Sequence, residues 1–272
     1  MAATPAAYAF AVVLGLLWGS FANVCIYRWQ AGTSVVKPGS HCSACKTPIK
    51  WYDNVPLLSY LWLRGKCRAC KAPFSARYLL VEAITGALFG VAWWFTMGPA
   101  GMLEPIEVRL IRFVIAAGFV FVMVVITFID IDTMLILDKV TIPSTVIFYL
   151  ASLLLPERRW YDGLVGIAIG YAVPWAIGTL YLAIRKREGL GLGDAKMLAL
   201  VGSLFGWKGV FFCLFGGSVI GTILTIVGAK RDENGKLVLN GELAFGPYLA
   251  AAAVFYLFAE PWIEIHFRLS GM

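Results

Sequence analysis

The sequence predicts an all-α polytopic membrane protein with about eight transmembrane helices, and three observations carry that expectation. Hydrophobic residues make up 60% of the 272 positions and charged residues only 14%, for a mean hydropathy of +0.78. Several apolar runs approach the roughly 20 residues that cross a ~30 Å hydrocarbon core. The cations are clumped: nine Lys or Arg lie from Arg28 to Arg77 against a single acid, Asp53. The sequence does not show the ~10-residue alternating segments of a transmembrane barrel.

The first span, 6–26, lacks the basic lead-in of a cleaved signal and is followed by further apolar spans, so it reads as a retained helix. Gly19, Ser20 and Ala22 suit close helix packing, Asn23 suits a bond across helices, and Arg28 reads as a lipid anchor. Segment 28–78 is the one sizeable non-membrane stretch. Its basic charge lies between two spans, so the positive-inside rule makes it a cytoplasmic loop rather than a nucleic-acid surface, and no nucleic acid is expected as a partner. Further spans fall at 79–97, 110–129, 140–155, 163–184, 195–206, 209–229 and 243–260, with a tight turn at Gly206-Trp207-Lys208-Gly209. Alternation then ends the third span inside at Ile129 and lands Arg185-Lys186-Arg187 and Lys230-Arg231 inside; Arg158-Arg159, on an outer turn, dissents. No internal repeat is evident. The chain divides into a first helix (1–27), a cysteine-rich loop (28–78) and a membrane core (79–272).

The loop carries two C-x2-C pairs, Cys42/Cys45 and Cys67/Cys70, with 21 residues between them. Each pair turns two thiolates toward one ion, and two such knuckles make a four-sulfur tetrahedral site for structural zinc. Lys46, Lys66, Arg68 and Lys71 would offset its negative charge. Disulfides are the alternative, which a cytoplasmic loop disfavours. His41 is a spare ligand that a four-cysteine set does not need. Cys25 and Cys213, in apolar runs, read as packing residues.

Carboxylates near hydrocarbon are expensive and therefore candidates for function. Asp130 ends the third span and Asp194 opens the sixth, so the topology puts both at one membrane face although 64 positions separate them. Two carboxylates in one low-dielectric site do not both ionise easily, which supplies a general base and a general acid for attack of water on a peptide carbonyl. Gly191 and Gly193 precede Asp194 and remove side-chain crowding there, through positive φ or by letting an extended peptide approach. Asp194 also suits a plain helix-capping role. Asp132 and Asp138 compete with Asp130 as its partner, and spacing does not choose among them. Lys196 either biases the pair's charge or reaches to lipid headgroups. Glu82 suits a pair with loop lysines. Phe245-Gly246-Pro247 breaks helix at the start of the last span, either lining a substrate path or ending a loop. With only two histidines, a Ser-His nucleophile is poorly supplied. Two rival readings remain from the residues alone: a membrane scaffold with a zinc loop, and a proton-coupled transporter.

Together, "GSFANVCIYR" (19–28), the paired C-x2-C with "WYDNVPLLSYLWLRGKCRAC" (51–70), "ARYLLVE" (76–82), "FIDIDTMLILD" (128–138), "GLGDAKMLALVGSLFGW" (191–207) and "FGPYLA" (245–250) resemble the type IV prepilin leader peptidases over nearly the whole chain. The chain departs from that pattern at Leu137, beside which the family commonly has Pro, and at Leu79. The resemblance implies a membrane aspartyl protease of the bacterial inner membrane. Such enzymes cut the leader from prepilins and pilin-like subunits after a glycine, at the cytoplasmic face. It also implies methylation of the new N-terminus with S-adenosylmethionine. It carries the catalytic roles onto Asp130 and Asp194, with Gly191, Gly193 and Lys196 in the surrounding loop, and zinc onto the four cysteines. Substrate identities, cofactor-binding residues and oligomeric state remain open.

Overall fold

The computed structural model describes residues 4–98, 104–186, 189–228, 230–231, 237–238 and 244–269. Arg187 of the second basic cluster lies outside them. The long helices are α1 (Pro5–Gln30), α3 (Ala76–Met97), α4 (Ile106–Thr133), α5 (Asp138–Ser152), α6 (Trp160–Arg185), α7 (Leu192–Gly228) and α8 (Gly246–Leu269); a short α2 (Leu58–Trp62) lies in the loop. A two-residue antiparallel pair, β1 (Lys230–Arg231) with β2 (Leu237–Val238), is the only strand structure among the described residues. Helices α1, α3, α4, α6 and α7 are long and apolar enough to cross a membrane. Inside α7, Gly206 has φ 69° and ψ −167°, so the expected sixth and seventh spans are two arms of one element broken where the tight turn was read. With that break the expected eight spans each find a helix.

Contacts divide the chain into two units, 1–125 and 126–272, with the division falling within α4. In the first unit α1 and α3 run antiparallel through glycines. A Cβ on Gly15 would lie 2.9 Å from the Gly86 Cα, and one on Gly19 would lie 2.7 Å from the Glu82 Cα. Such small-residue seams let backbones approach where lipid gives no hydrophobic drive to association. Asn23 adds the cross-helix bond, its Nδ2 donating to the Tyr78 carbonyl at 3.0 Å. Arg28 is not a lipid anchor. It is buried, and its guanidinium donates to the Ser34 and Gly39 carbonyls at 3.0 and 3.3 Å, pinning the start of the loop to α1.

In the second unit α6 and the first arm of α7 touch so closely that a Cβ on Gly166 would fall 2.1 Å from the Gly202 carbonyl oxygen. The second arm of α7 runs back along α8, with Gly217 against Leu249 and Gly209 against Tyr256. These pairings gather one end of the unit around Asp130, Asp194 and Gly246, and the opposite end around Arg158, Phe205 and Glu260. Arg158 explains its own dissent from the charge rule: its guanidinium pairs with Glu260 at 2.5 Å and donates to the Phe205 carbonyl at 3.3 Å, so it is a half-buried brace, not a free loop cation.

Candidate functional site

Asp130 ends α4 one turn before the helix stops, and only 4% of it is exposed. Its Oδ2 accepts the main-chain N–H of Gly246 at 3.0 Å. Gly246 is the first residue of α8, so this N–H is one of the donors a helix start leaves without an intrahelical partner. Asp194 sits in the first turn of α7 and is 9% exposed. Its Oδ2 accepts the Gly191 N–H at 3.2 Å, while its own N–H donates to the Gly191 carbonyl at 3.1 Å. This is the reach-back of a third-position acid in a capping box, so Asp194 does cap its helix while keeping its carboxylate at the unit's gathered end.

The glycines serve close approach rather than unusual φ, since positive φ among glycines is confined to Gly32, Gly65 and Gly206 in the described residues. A Cβ on Gly193 would meet the Ile136 side chain at 3.0 Å, and one on Gly191 would meet Asp194 Oδ2 at 3.3 Å. Gly193 thus lets the segment that follows Asp130 lie against the turn that carries Asp194. Lys196 follows neither expected course. Its Nζ pairs with Asp138 Oδ1 at 2.6 Å, which occupies that competing acid at an exposed position. Asp132 is exposed. Of the three acids offered by the sequence, Asp130 alone is buried, as Asp194 is.

Sequence reasoning did not assign Gly246 a part in this cluster. Its signal was the helix break at Phe245-Gly246-Pro247. A Cβ there would stand 2.6 Å from Asp130 Oδ2, so only glycine leaves room for the carboxylate.

In the first unit the four cysteine Sγ atoms all lie within 4.8 Å of one another. Cys42 and Cys70 are 3.8 Å apart and Cys45 and Cys67 are 4.0 Å apart. A tetrahedral ion with metal–sulfur bonds of about 2.3 Å needs sulfur–sulfur edges of about 3.8 Å, so the set fits. Both knuckles are built alike. Cys42 N–H donates to the Thr47 carbonyl and Cys67 N–H to the Ala72 carbonyl, with Lys46 and Lys71 at φ 59° and 62°. The motif C-x-A-C-K-x-P therefore occurs twice, a small repeat that the reading by spans overlooked. His41 stays outside the set, its Nδ1 3.0 Å from the Gly39 carbonyl. Glu82 does not pair with lysines. It accepts the Leu57 N–H at 2.8 Å, fixing a residue at φ 58°.

Fold and sites define a multipass α-helical membrane protein with a buried carboxylate pair in one unit and a four-thiol centre in the other. The profile of the bacterial peptidase A24 N-terminal domain matches residues 13–96, and that of the type IV leader peptidase family matches residues 117–226. The prepilin leader peptidase/N-methyltransferase of Aeromonas hydrophila is 34% identical over 275 residues, covering 90% of this chain and 88% of its own. Its namesake in Neisseria gonorrhoeae is 34% identical over 282 residues, covering 92% and 89%. The one in Stutzerimonas stutzeri is 33% identical over 278 residues, covering 93% and 91%. No solved structure matches the chain. The chain belongs to the type IV leader peptidase family.

Proposed function

We propose that this chain is an aspartyl endopeptidase that removes the leader of type IV prepilins and pilin-like secretion subunits. It cuts after a glycine at the cytoplasmic face of the bacterial inner membrane, then methylates the new N-terminus. The observation that carries the proteolytic reading is that Asp130 and Asp194 are both buried in the second unit, each holding a main-chain N–H, with Gly193 letting the segment after Asp130 lie against the turn that carries Asp194. Of two carboxylates sharing such a site, one keeps a proton. The ionised member takes a proton from water as the water oxygen attacks the scissile carbonyl. The protonated member donates to the carbonyl oxygen. Collapse of the tetrahedral species breaks the C–N bond, and a proton returned to nitrogen lets the amine leave. The Gly246 N–H and the Gly191 N–H hold the two side chains in register for this work. The prepilin's apolar helix enters from the bilayer with its leader on the cytoplasmic side, the side to which the basic loop 28–78 belongs.

The four cysteines hold a structural zinc ion that locks the loop between the first helix (1–27) and the membrane core (79–272). The relatives' names give those proteins N-methyltransferase activity, and the methyl donor proposed for this chain is S-adenosylmethionine. When bound it offers an electrophilic methyl group.

Purified protein in detergent, given a prepilin and methyl-labelled donor, tests both activities by mass spectrometry. Loss of the leader after a glycine and one methyl on the new amine is the expected product. A folded preparation that leaves the prepilin whole refutes the proteolytic reading.

A further inference from the structure

The short helix α2 turns its apolar side outward. Leu58, Leu61 and Trp62 stand at i, i+3 and i+4, so they share one face, and they are 67%, 63% and 83% exposed. The polar residues between them turn inward. The Ser59 hydroxyl accepts the Val55 N–H at 2.9 Å and donates to the Tyr52 carbonyl at 3.0 Å. The Tyr60 hydroxyl donates to the Phe74 carbonyl at 3.3 Å, and its ring fills the place of a Cβ on Gly65. Trp51, on the turn before α2, is exposed as well. A surface helix in water shows the opposite pattern, with polar groups outward and apolar groups against the core.

The start of α2 is also held at membrane depth. Leu57, the residue before it, donates its N–H to the Glu82 carboxylate at 2.8 Å. Glu82 lies six residues into α3, about 9 Å along the axis from Ala76, and about 4.5 Å inside the span read from residue 79. The same carboxylate bonds Ser20, which is ten residues short of the end of α1. A helix lying in the bilayer interface sinks its apolar face about 5–10 Å into the boundary between headgroups and chains. Tyr27 and Tyr78, exposed near the loop ends of α1 and α3, suit the aromatic belt at that level.

Charge agrees with depth. The one acid between Arg28 and Arg77 is Asp53, and both of its oxygens accept from Arg68 at 2.6–3.0 Å. Lys50 and Arg64, which flank this apolar stretch, are exposed. Cations placed beside an interfacial apolar face are drawn to anionic headgroups. A face tied to the depth of Glu82 meets lipid before it meets a partner arriving from solution.

We propose that α2 and Trp51 lie in the headgroup layer of an anionic leaflet at this end of α3. Leu58, Leu61 and Trp62 enter among the upper chain carbons, and Lys50 and Arg64 meet phosphates. The cysteine loop is then an interfacial segment, and its four-thiol centre is held against the membrane surface rather than out in solution.

The full chain in nanodiscs of phosphatidylcholine, with or without phosphatidylglycerol, tests this. A phospholipid carrying a diazirine near the top of its chain is photolysed, and its adducts are mapped by mass spectrometry. Adducts are expected on residues 51–64 as well as on α1 and α3, with the yield on 51–64 at least about threefold higher when the anionic lipid is present. Labelled spans with an unlabelled 51–64 overturn the proposal and give the face to a protein partner. A yield on 51–64 unchanged by phosphatidylglycerol overturns the anionic leaflet as its occupant. A second measurement does not rely on crosslinking. Trp62→Phe keeps an aromatic ring at an exposed position, so the chain should melt like wild type. The fluorescence it removes, taken by difference, should be quenched at least about twofold by lipids brominated near the top of their chains. Trp62 emission that those lipids leave unchanged overturns the placement.

Discussion

Gly246→Ala places one methyl group where the catalytic account is most sensitive. The new Cβ would stand 2.6 Å from Asp130 Oδ2 and 3.0 Å from its Cγ, whereas ordinary contact begins near 3.4 Å. The carboxylate must therefore withdraw by about 0.8 Å, the difference between 3.4 and 2.6 Å, or the start of α8 must retreat and lose the 3.0 Å bond from its N–H. A displacement near 1 Å at a reacting group costs on the order of 10²-fold in rate, or about 2.7 kcal/mol of transition-state stabilisation. Single-turnover leader release measured across prepilin concentrations is the assay. The loss should fall on kcat with KM little changed, because Gly246 orients an acid rather than gripping substrate. Methyl transfer to a pilin already cut should persist, as a control on folding. Leader release by Gly246→Ala within about threefold of wild type would refute the reasoning, since a mobile Asp130 would not need this donor.

Three further outcomes follow from the same geometry. Asp138→Asn breaks an exposed pair with Lys196 worth at most about 1 kcal/mol, so leader release should stay within a few-fold of wild type; a loss as deep as that of Asp130→Asn would make Asp138 the true partner. Arg158→Leu strips a half-buried partner from Glu260 and should cost about 1–3 kcal/mol, read as a lower melting temperature in detergent, while pairing it with Glu260→Leu should recover part of that loss. Metal analysis of purified chain should find one zinc per molecule, and Cys42→Ser or Cys67→Ser should abolish it; full zinc retention by either variant would contradict a closed four-thiol centre.

Much of this was legible in the sequence because lipid and metal impose blunt rules. Apolar runs of helix length and two C-x2-C pairs are local signals, and the structure returns them as membrane-length helices and a cluster of four thiols; carboxylates at the ends of spans are a local signal too, and Asp130 and Asp194 are both buried. The tight turn at Gly206 was visible for the same reason: glycines beside a cation rarely interrupt an apolar run without a bend. What escaped were pairings between distant segments. Lys196 lies two residues from Asp194, yet it turns to Asp138, and only the packing of α5 against α7 brings that acid within reach. Arg28 looked like a headgroup anchor because its neighbours are apolar, but the loop folds back and offers it two carbonyls. Glycines 191 and 193 were read as removing crowding beside Asp194, and they do clear space for neighbours, without the positive φ that the sequence also allowed. Gly246 is separated from Asp130 by 116 positions, so no window along the chain relates a helix-breaking triplet to the carboxylate its N–H holds.

The central claim is that Asp130 and Asp194 work as one pair. The most direct measurement is single-turnover release of a prepilin leader by wild type, Asp130→Asn and Asp194→Asn, with methyl transfer to pre-cut pilin recorded on the same preparations. Each substitution should lower leader release by at least about 10³-fold, within the range expected for removing a general acid or base, while both variants continue to methylate. Leader release at the wild-type rate by either variant would contradict the account.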